Sequence, residues 1–376
     1  MTALRLLTLA VSIAAPVFGS VPSRSAAPPC QFYVSPTGAD WNAGTLSAPW
    51  RTVQHAFDYA RPEEAVCFRA GTYHMVNFSG YNQVLSRSGN SGARITFTNY
   101  PGEVAIIEGS TRIEGAYITL MGNPVTAPGL IFAGPGGRNM DLIDIMNSHD
   151  VTLDHVEIRN GNYHAGLYQY GGYNIKVIGS YIHDNGRPGY VNTDQGIYWD
   201  ATTGGGNLIA NNVIEHNVAM GIQLYPAPAD VVVEENTIVG NGNYGMVIYG
   251  SHHKIVNNIL SDNGNSASNP QMKIDFLADD LTIHSNLFWH AVRTLRGYIS
   301  AVGVAVANAP AGDPLFVNPL HHDYHLRPGS PATAVGNAQY TQQTDKDGII
   351  RNLPPDVGAY ALTSSKTAGT IPSRFH

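Results

Sequence analysis

One short phrase of alternating apolar and polar residues returns, with variations, from His149 to about Trp289. Each copy has a β-rich lead-in, a polar turn, a second strand-like run, an Asn/Gly-rich loop and a third run. The apolar residues alternate with period two, which is the period of a strand and not of a helix. A self-similar unit of roughly 20–30 residues that cannot bury its apolar side alone is typical of a solenoid. The pattern therefore predicts three short strands per coil.

Strand alternation assigns two faces to the third run of each repeat. Ile197 and Trp199 are predicted to point into the coil, which leaves Tyr198 and Asp200 outside. The other residues predicted to point inward are Ile222, Leu224, Met246, Ile248, Ile274 and Phe276. The other residues predicted to point outward are Tyr168, Tyr170, Gln223, Tyr225, Val247, Tyr249, Lys273 and Asp275.

An asparagine closes the lead-in of several repeats, at Asn212, Asn236, Asn258 and Asn286. Asn tolerates the left-handed backbone that a sharp corner needs. Stacked Asn side chains also form hydrogen-bonded ladders. We predict both roles for these residues.

The regular repeats, residues 149–289, are flanked by less regular sequence. Apolar residues at helical spacing before Pro62 predict a short cap helix at about 49–61, which would cover the open end of the solenoid. Residues 68–148 are interpreted as irregular early coils, and the proline-rich stretch 295–362 as a terminal wrap. The Ser/Thr/Lys-rich residues 363–376 are expected to be a flexible tail.

Several phrases together resemble a known group of proteins. They are the opening FYVSPTGADWNAGTLSAPW with the helix after it, the sequence RAGTY, the repeated N-x-I units, and the closing DPLFVNPLHHDYHLRPGSPATAVG and LPPDVGAY. These resemble the secreted right-handed parallel β-helix proteins of the pectate-lyase-like superfamily. The resemblance implies an all-β, right-handed parallel β-helix with three strands per coil, as a single domain over residues 28–362. It specifies the reaction poorly, since one scaffold hosts many chemistries.

The amino-acid composition indicates which class of molecule this protein binds. The chain of 376 residues carries 40 Gly, 20 Tyr and only 13% charged residues, with a net charge of −7. Glycine and tyrosine fit short strands and tight corners, and the acidic balance gives no footprint for nucleic acid. We predict a monomer whose partner is a polysaccharide. An acidic polymer would need local Arg or Lys, or a bound cation.

The N-terminus predicts export. An early positive charge, an apolar run from Leu6 to Phe18 and small residues to Ala27 are typical of a signal peptide, here residues 1–27. An uncleaved anchor is the alternative. No other stretch is long and apolar enough to cross a membrane, so we expect a secreted, extracellular or periplasmic protein without a membrane span.

Cys30 and Cys67 are the only two cysteines, and each flanks a strand-like run at the first coil. Stacked neighbours in an oxidising compartment favour one disulfide between them. Two cysteines without histidines at ligand spacing are poor metal ligands.

The outward residues of the third runs form the candidate functional surface. Three loops that border this surface are long or rich in polar residues: NGNYHAG, HDNGRPGYVNTDQG and SDNGNSASNPQ. Tyrosine faces cover the C–H faces of sugars and polar tips bind hydroxyls, so the column predicts sugar binding. The alternative is a tyrosine stack that only lines a sheet. The predicted substrate-binding residues are His164, Tyr168, Tyr198, Gln223, Tyr225 and Tyr249.

The leading hypothesis for the chemistry is β-elimination at a uronic acid. This reaction needs a neutraliser for the carboxylate, a base for the C5 proton and an acid for the leaving oxygen. Arg187, or a Ca²⁺ ion held by Asp194, Asp200 and Asp275, would supply the first. The predicted catalytic residues are His183, Arg187, Asp194 and Lys273, with Lys273, His183 or a tyrosine as the base and the acid. Catalysis requires His183, Asp194, Asp200 and Lys273 to converge. The alternative for Lys273 is an ordinary lysine beside Asp275 that is either solvated or ion-paired.

Two other functions stay open. Asp194 with Asp200 could be the carboxylate pair of an inverting glycoside hydrolase, whose carboxyl groups lie roughly 6.5–9.5 Å apart. A non-catalytic glycan-binding or cell-surface protein would need only the tyrosines. The sequence Asn192-Thr193-Asp194 is similar to part of the polygalacturonase site, but the other signatures of that family are absent.

The paired histidines His252-His253 and His321-His322 are expected at exposed turns away from this surface. We interpret them as solvated side chains, with a metal site as the alternative.

Overall fold

The structure is a computed structural model that describes residues 27–74, 80–122, 129–136, 139–264, 270–289, 295–297 and 305–362. The predicted signal peptide, except for Ala27, and the predicted tail at 363–376 lie outside these residues. In the described part, strands of successive coils pair in parallel to form three long sheets. The predicted all-β, right-handed parallel β-helix is confirmed. No described helix has the length and apolar content that crossing a membrane requires.

The strands of the N-terminal half build the irregular early coils and the first of the regular repeats. In chain order they are β1 Phe32–Val34, β2 Ala65–Phe68, β3 Gly71–Tyr73, β4 Gln83–Leu85, β5 Ile95–Asn99, β6 Ala105–Glu108, β7 Thr111–Ile113, β8 Ile118–Met121, β9 Leu130–Ala133, β10 Ile143–His149, β11 Val151–Asp154, β12 Glu157–Arg159, β13 Ala165–Tyr173, β14 Lys176–Ile178 and β15 Tyr181–His183.

The remaining strands include the most regular repeats. They are β16 Gln195–Trp199, β17 Asn207–Ala210, β18 Val213–Glu215, β19 Ile222–Leu224, β20 Val231–Glu234, β21 Thr237–Val239, β22 Met246–Ile248, β23 Lys254–Val256, β24 Ile259–Ser261, β25 Met272–Ile274, β26 Thr282–His284, β27 Leu287–Trp289, β28 Leu295–Gly297, β29 Ala305–Ala307, β30 Phe316–Asn318 and β31 Asp323–Leu326.

From β2 to β28, each coil contributes one strand to each sheet in a fixed order, while β1 and β29 extend the first sheet alone. The first sheet runs β1-β2-β5-β8-β11-β14-β17-β20-β23-β26-β29. The second runs β4-β7-β10-β13-β16-β19-β22-β25-β28, and the third runs β3-β6-β9-β12-β15-β18-β21-β24-β27. Strands β30 and β31 form a separate antiparallel hairpin. Residues one repeat apart in sequence therefore become neighbours on one sheet.

The interior is filled by the alternating apolar residues. Ile197, Trp199, Ile222 and Leu224 are all fully buried, as the alternation predicts. The predicted inward position of Phe276 is wrong, since its side chain is 64% exposed. Strand β25 ends at Ile274 and the chain turns, with the Ala278 amide donating to the Asp275 carbonyl, so alternation stops before Phe276.

Two asparagine ladders hold the corners of the coils together. The predicted one joins Asn212, Asn236, Asn258 and Asn286, with each Nδ2 2.9 Å from the next Oδ1. A second ladder, which the sequence analysis did not identify, joins Asn185, Asn217, Asn241 and Asn263 and ends on Gln271.

The predicted left-handed backbone belongs to the residue before each ladder asparagine. Asn211, Glu235, Asn257 and Ser285 have φ of 52–59°. The corner therefore needs one residue to turn the chain and the next to place a buried amide, and a single asparagine does not do both.

The N-terminal end is closed as predicted, over a shorter span. Helix α1, Val53–Tyr59, begins after Thr52, whose hydroxyl accepts from the His55 amide, and it buries Val53, Ala56 and Phe57. Strand β1 pairs with β2, which brings Cys30 and Cys67 to a Cα–Cα distance of 5.6 Å, and the predicted disulfide is confirmed.

The C-terminal segment runs back along the corner between the first and third sheets. Asn257 Nδ2 donates to the Asn337 carbonyl, and the Gln342 amide donates to the buried Glu235. Further back, Lys346 Nζ donates to the Gly179 carbonyl at 2.9 Å. We call residues 337–358 the C-terminal strap, because they bridge several coils.

Candidate functional site

The outer face of the second sheet carries most of the predicted substrate-binding residues. Strand register aligns a first row of outward residues, Arg112, Asp144, Tyr168, Tyr198, Gln223, Val247 and Lys273. A second row lies two residues further along each strand and contains Tyr170, Asp200, Tyr225, Tyr249 and Asp275. We call these two rows the tyrosine wall. The predicted shared face of Tyr198, Tyr225, Tyr249 and Asp275 is present in the structure.

The rings of the tyrosine wall form a continuous aromatic strip. Ring centroids are 5.3 Å apart for Tyr168 and Tyr198, 6.4 Å for Tyr198 and Tyr225, and 4.7 Å for Tyr225 and Tyr249. His164 adds an edge contact to Tyr198 at 4.7 Å. Tyr225 remains 38% exposed, so the strip presents ring surface to solvent.

Hydrogen bonds orient the tyrosine hydroxyls. Tyr168 donates to Asp200 Oδ2 at 2.7 Å, and burial together with this bond raises the pKa of Tyr168. The pKa of Tyr249 is raised to about 12, mainly by burial and to a smaller extent by a hydrogen bond to Asp275. Both hydroxyls therefore stay protonated at neutral pH and act as donors, while the carboxylates act as acceptors.

One end of the tyrosine wall is acidic. Asp144 is only 2% exposed, and its Oδ2 accepts the hydroxyl of Tyr81. Its Oδ1 has no hydrogen-bond partner among the described residues. Burial, reinforced by the Asp141 carboxylate, raises the pKa of Asp144. His164 Nδ1 lies 3.3 Å from Asp141 Oδ1, which ties the loop before β13 to this end.

The sequence analysis missed this acidic end, although a signal was present. In the run Leu142-Ile143-Asp144-Ile145, buried Ile143 and Ile145 flank Asp144 as Ile197 and Trp199 flank Tyr198. The same alternation therefore places Asp144 outside the coil. Tyr81 carried no such signal, because it lies before β4 in an irregular coil.

Lys273 lies at the other end of the tyrosine wall. It is half-buried in the first row, next to Val247, and the register pairs it with Arg296 on β28. Among the described residues no carboxylate forms a salt bridge with Lys273, so the alternative of a pair with Asp275 is not realised. Asp275 is instead 7% exposed and accepts from the Leu277 amide.

The structure does not bring His183 to the tyrosine wall. It ends β15 in the third sheet, where its ring stacks on Tyr181 with centroids 3.9 Å apart. Its Nδ1 lies 2.7 Å from Asp184 Oδ2 and its Nε2 lies 3.2 Å from Glu157 Oε1. Burial lowers the pKa of His183, but these two hydrogen bonds outweigh it and raise the pKa overall. The predicted convergence of His183 with Lys273 is wrong, because the two residues belong to different sheets.

Arg187 and Asp194 form a salt bridge with each other. Arg187 Nε and Nη2 each lie 2.7 Å from a carboxylate oxygen of Asp194, which is fully buried. The guanidinium also lies over the rings of Tyr190, at 3.8 Å, and Tyr163, at 4.6 Å. These contacts hold the expanded loop between β15 and β16. Because Asp194 already neutralises the positive charge of Arg187, that charge does not serve a substrate carboxylate.

The predicted calcium ligands do not assemble. Asp194 is bonded to Arg187, Asp200 accepts from Tyr168, and Asp275 lies on a different coil. Calcium needs six to eight oxygen ligands around one point. Within the described ranges, the group of three or more potential ligand side chains that comes together is Glu215, His216 and His322. Asp194, Asp200 and Asp275 therefore do not fit a shared ion in this arrangement.

The histidines of the two pairs differ in solvent exposure. His252, His321 and His322 are exposed as expected. The expected exposure of His253 is wrong, because its ring is buried with Nδ1 accepting from the Val231 amide and Nε2 bonded to the Tyr249 carbonyl. Burial lowers the pKa of His253 to about 4, so it is a neutral part of the packing.

Comparison with known proteins identifies the family of this chain. Residues 32–255 match the family described as Pel9A-like, right handed beta helix region. Among curated proteins, pectate lyase PEL9 of Emericella nidulans is 26% identical over 220 residues, which are 54% of this chain and 52% of that protein. The chain spans about half the length, or less, of the curated relatives that it matches.

Solved structures agree on the architecture. The crystal structure of pectate lyase Pel9A matches with a TM-score of 0.59 at 17% identity, over 88% of this chain and 96% of that one. A rhamnogalacturonan lyase matches with a TM-score of 0.53 at 13% identity, over 89% and 96%. At these identities the two structures support the fold alone.

Proposed function

Because the chain belongs to the Pel9A-like right-handed β-helix family, we propose that it is a carbohydrate-active enzyme that cleaves a uronate-containing polysaccharide by β-elimination. The observation that carries the proposal is the tyrosine wall, a partly exposed aromatic strip with Lys273 at one end, where no carboxylate of the described residues forms a salt bridge with it. The pectate lyase among the relatives favours a lyase over a binding protein.

The polysaccharide would lie across the coils. Parallel strands are about 4.8 Å apart, so the four intervals from β13 to β25 cover roughly 19 Å, enough for an extended oligosaccharide. Ring faces of Tyr198, Tyr225 and Tyr249 would contact the apolar faces of sugars, and Gln223 and Asp200 would bind hydroxyls.

We assign the base to Lys273. A lysine amine can remove the C5 proton of a uronate, and Lys273 is half-buried at the end of the aromatic strip, where a bound polymer would lie over it. The strand register pairs Lys273 with a second basic residue, Arg296 on β28. A tyrosine hydroxyl of the wall would protonate the leaving oxygen.

Incubation with pectate, alginate and glycosaminoglycans, each with and without EDTA, tests the reaction. We expect ultraviolet absorbance from the conjugated double bond of an unsaturated product. Lys273→Ala and Lys273→Arg should both lower the rate roughly 10²–10⁴-fold, because an arginine keeps the charge but does not give up its proton. Lys176→Ala, on the first sheet, is the matched control and should leave the rate unchanged.

Other outcomes would overturn the proposal. Full activity of Lys273→Ala removes the assigned base. Reducing ends without unsaturation indicate hydrolysis, and glycan binding without any product indicates a non-catalytic protein.

One observation favours hydrolysis as the second candidate. Asp144 is a buried carboxyl on the tyrosine wall with a raised pKa, and its Oδ1 has no hydrogen-bond partner among the described residues. These are features of a general acid. In that case Asp144→Asn would abolish the release of reducing ends, while Lys273→Ala would not.

A further inference from the structure

A second cluster of polar residues lies on the third sheet, away from the tyrosine wall. Its centre is Glu215, the last residue of β18, which is fully buried. Tyr181 and His322 approach Glu215 Oε1, and Tyr324 and His216 approach Oε2. His322 and Tyr324 come from the hairpin segment more than a hundred residues later in the chain.

The donor set of this cluster matches a transition metal. His216 Nδ1 lies 3.1 Å from Glu215 Oε2, and His322 Nδ1 lies 2.9 Å from Oε1. One possible ligand atom from each of the three residues lies within 4.8 Å of the others. Two imidazoles and one carboxylate are the ligands of many zinc sites, and tetrahedral bonds of about 2.0–2.2 Å place ligand atoms roughly 3.4 Å apart, a separation that lies within this limit.

The surroundings hold these ligands in place. Tyr181 and Tyr324 donate their hydroxyls to the carboxylate, as outer-shell partners do in metal sites. Glu215 is fully buried, and its two carboxylate oxygens face His216 and His322, so the carboxylate is already oriented towards both imidazoles.

The two histidine rings are fixed and accessible. His216 and His322 both have left-handed φ, 49° and 59°, and their rings are nearly perpendicular with centroids 5.6 Å apart. The His216 ring packs over Gly240, where a Cβ would come within 3.0 Å of it. Both side chains are 45% exposed, so an ion can enter and water can fill the remaining coordination positions.

We propose that Glu215, His216 and His322 form a binding site for a divalent transition metal of the zinc class, which would join the C-terminal hairpin to the third sheet. The ion would take the place of the two Nδ1–H···O hydrogen bonds. Each imidazole would bind through Nδ1 in its neutral form and carry its proton on Nε2. The site is separate from the tyrosine wall and does not depend on the proposed reaction there.

Metal titration of the untagged, EDTA-treated protein tests the site. With Zn²⁺ we expect one ion bound per chain by calorimetry and a rise in the melting temperature. His322→Ala and His216→Ala should each weaken binding by more than the roughly 10–100-fold that losing an outer-shell partner costs. His321→Ala is the matched control, since this neighbouring exposed histidine bonds only to Asn318 in the described part of the chain, and it should bind like the wild type.

Two results would overturn the proposal. Either the wild type binds no zinc at one equivalent, or His322→Ala and His216→Ala bind it as tightly as His321→Ala does. In both cases the cluster is a hydrogen-bonded clasp for the hairpin and not a metal site.

Discussion

At the residue scale, buried asparagine side chains supply hydrogen bonds that the apolar side chains of the core cannot supply. Asn236 is fully buried, and its Oδ1 accepts from the amide and the side chain of Asn212. Its Nδ2 donates to the Ile209 carbonyl and to Asn258 Oδ1. The corners that carry the two ladders bury backbone groups that no strand pairs, and the ladder amides supply partners for them.

Removal of one rung should therefore be costly. We expect Asn236→Ala to lower the free energy of unfolding by about 3 kcal/mol, since it leaves buried donors and acceptors unpaired at roughly 1–3 kcal/mol each. Chemical denaturation measures this, with the exposed Asn352→Ala as the control. A loss as small as that of the control would mean that water replaces the amide.

At the scale of elements, the hairpin of β30 and β31 is fastened to the C-terminal strap by a histidine. His325 Nδ1 lies 2.6 Å from Asp323 Oδ1, and Nε2 lies 3.0 Å from Asp347 Oδ2 in the strap. Burial disfavours the charged ring, but the hydrogen bonds to both carboxylates outweigh it and raise the pKa of His325 to about 9.

This fastening predicts a pH dependence. Because the folded pKa of His325 lies above the ordinary 6.5, its stabilisation is complete below about pH 6.5 and is lost as the pH rises towards about 9. The melting temperature of the wild type should fall across this window more steeply than that of His325→Gln. His321→Ala should follow the wild type, and parallel curves for wild type and His325→Gln would contradict the assignment.

At the scale of the whole molecule, each coil contacts mainly its neighbours, as in other solenoids. Stability is then close to a sum of local terms, and the ends are where coils separate first. The disulfide closes a loop of 37 residues at the N-terminal end, across β1, α1 and β2. Its effect should therefore be local.

The double variant Cys30→Ala/Cys67→Ala tests this locality. We expect a loss of about 2–4 kcal/mol at the first coil, in line with a loop of this length. Hydrogen exchange should quicken in residues 27–74 and stay unchanged in residues 207–260. A uniform increase along the chain would show that the solenoid unfolds as one unit.

The sequence by itself determined the repeating part of this protein. Period-two alternation places Tyr198, Tyr225 and Tyr249 on one outer face, because a strand that buries Ile197 and Trp199 must expose the residue between them. The parallel stacking follows from the repeat, and the strand-like runs beside Cys30 and Cys67 predict the disulfide at the first coil. These features depend on local pattern and on neighbours one coil apart.

Only the tertiary structure decided which polar side chains meet. Arg187 is occupied by Asp194, and His183 faces another sheet than Lys273, because loop paths and corners, which alternation does not encode, direct these residues. Glu215 meets His322 across 107 positions, because a non-repeating C-terminal segment folds back over the third sheet. Contacts of that range depend on the whole path of the chain, so no local pattern could predict them.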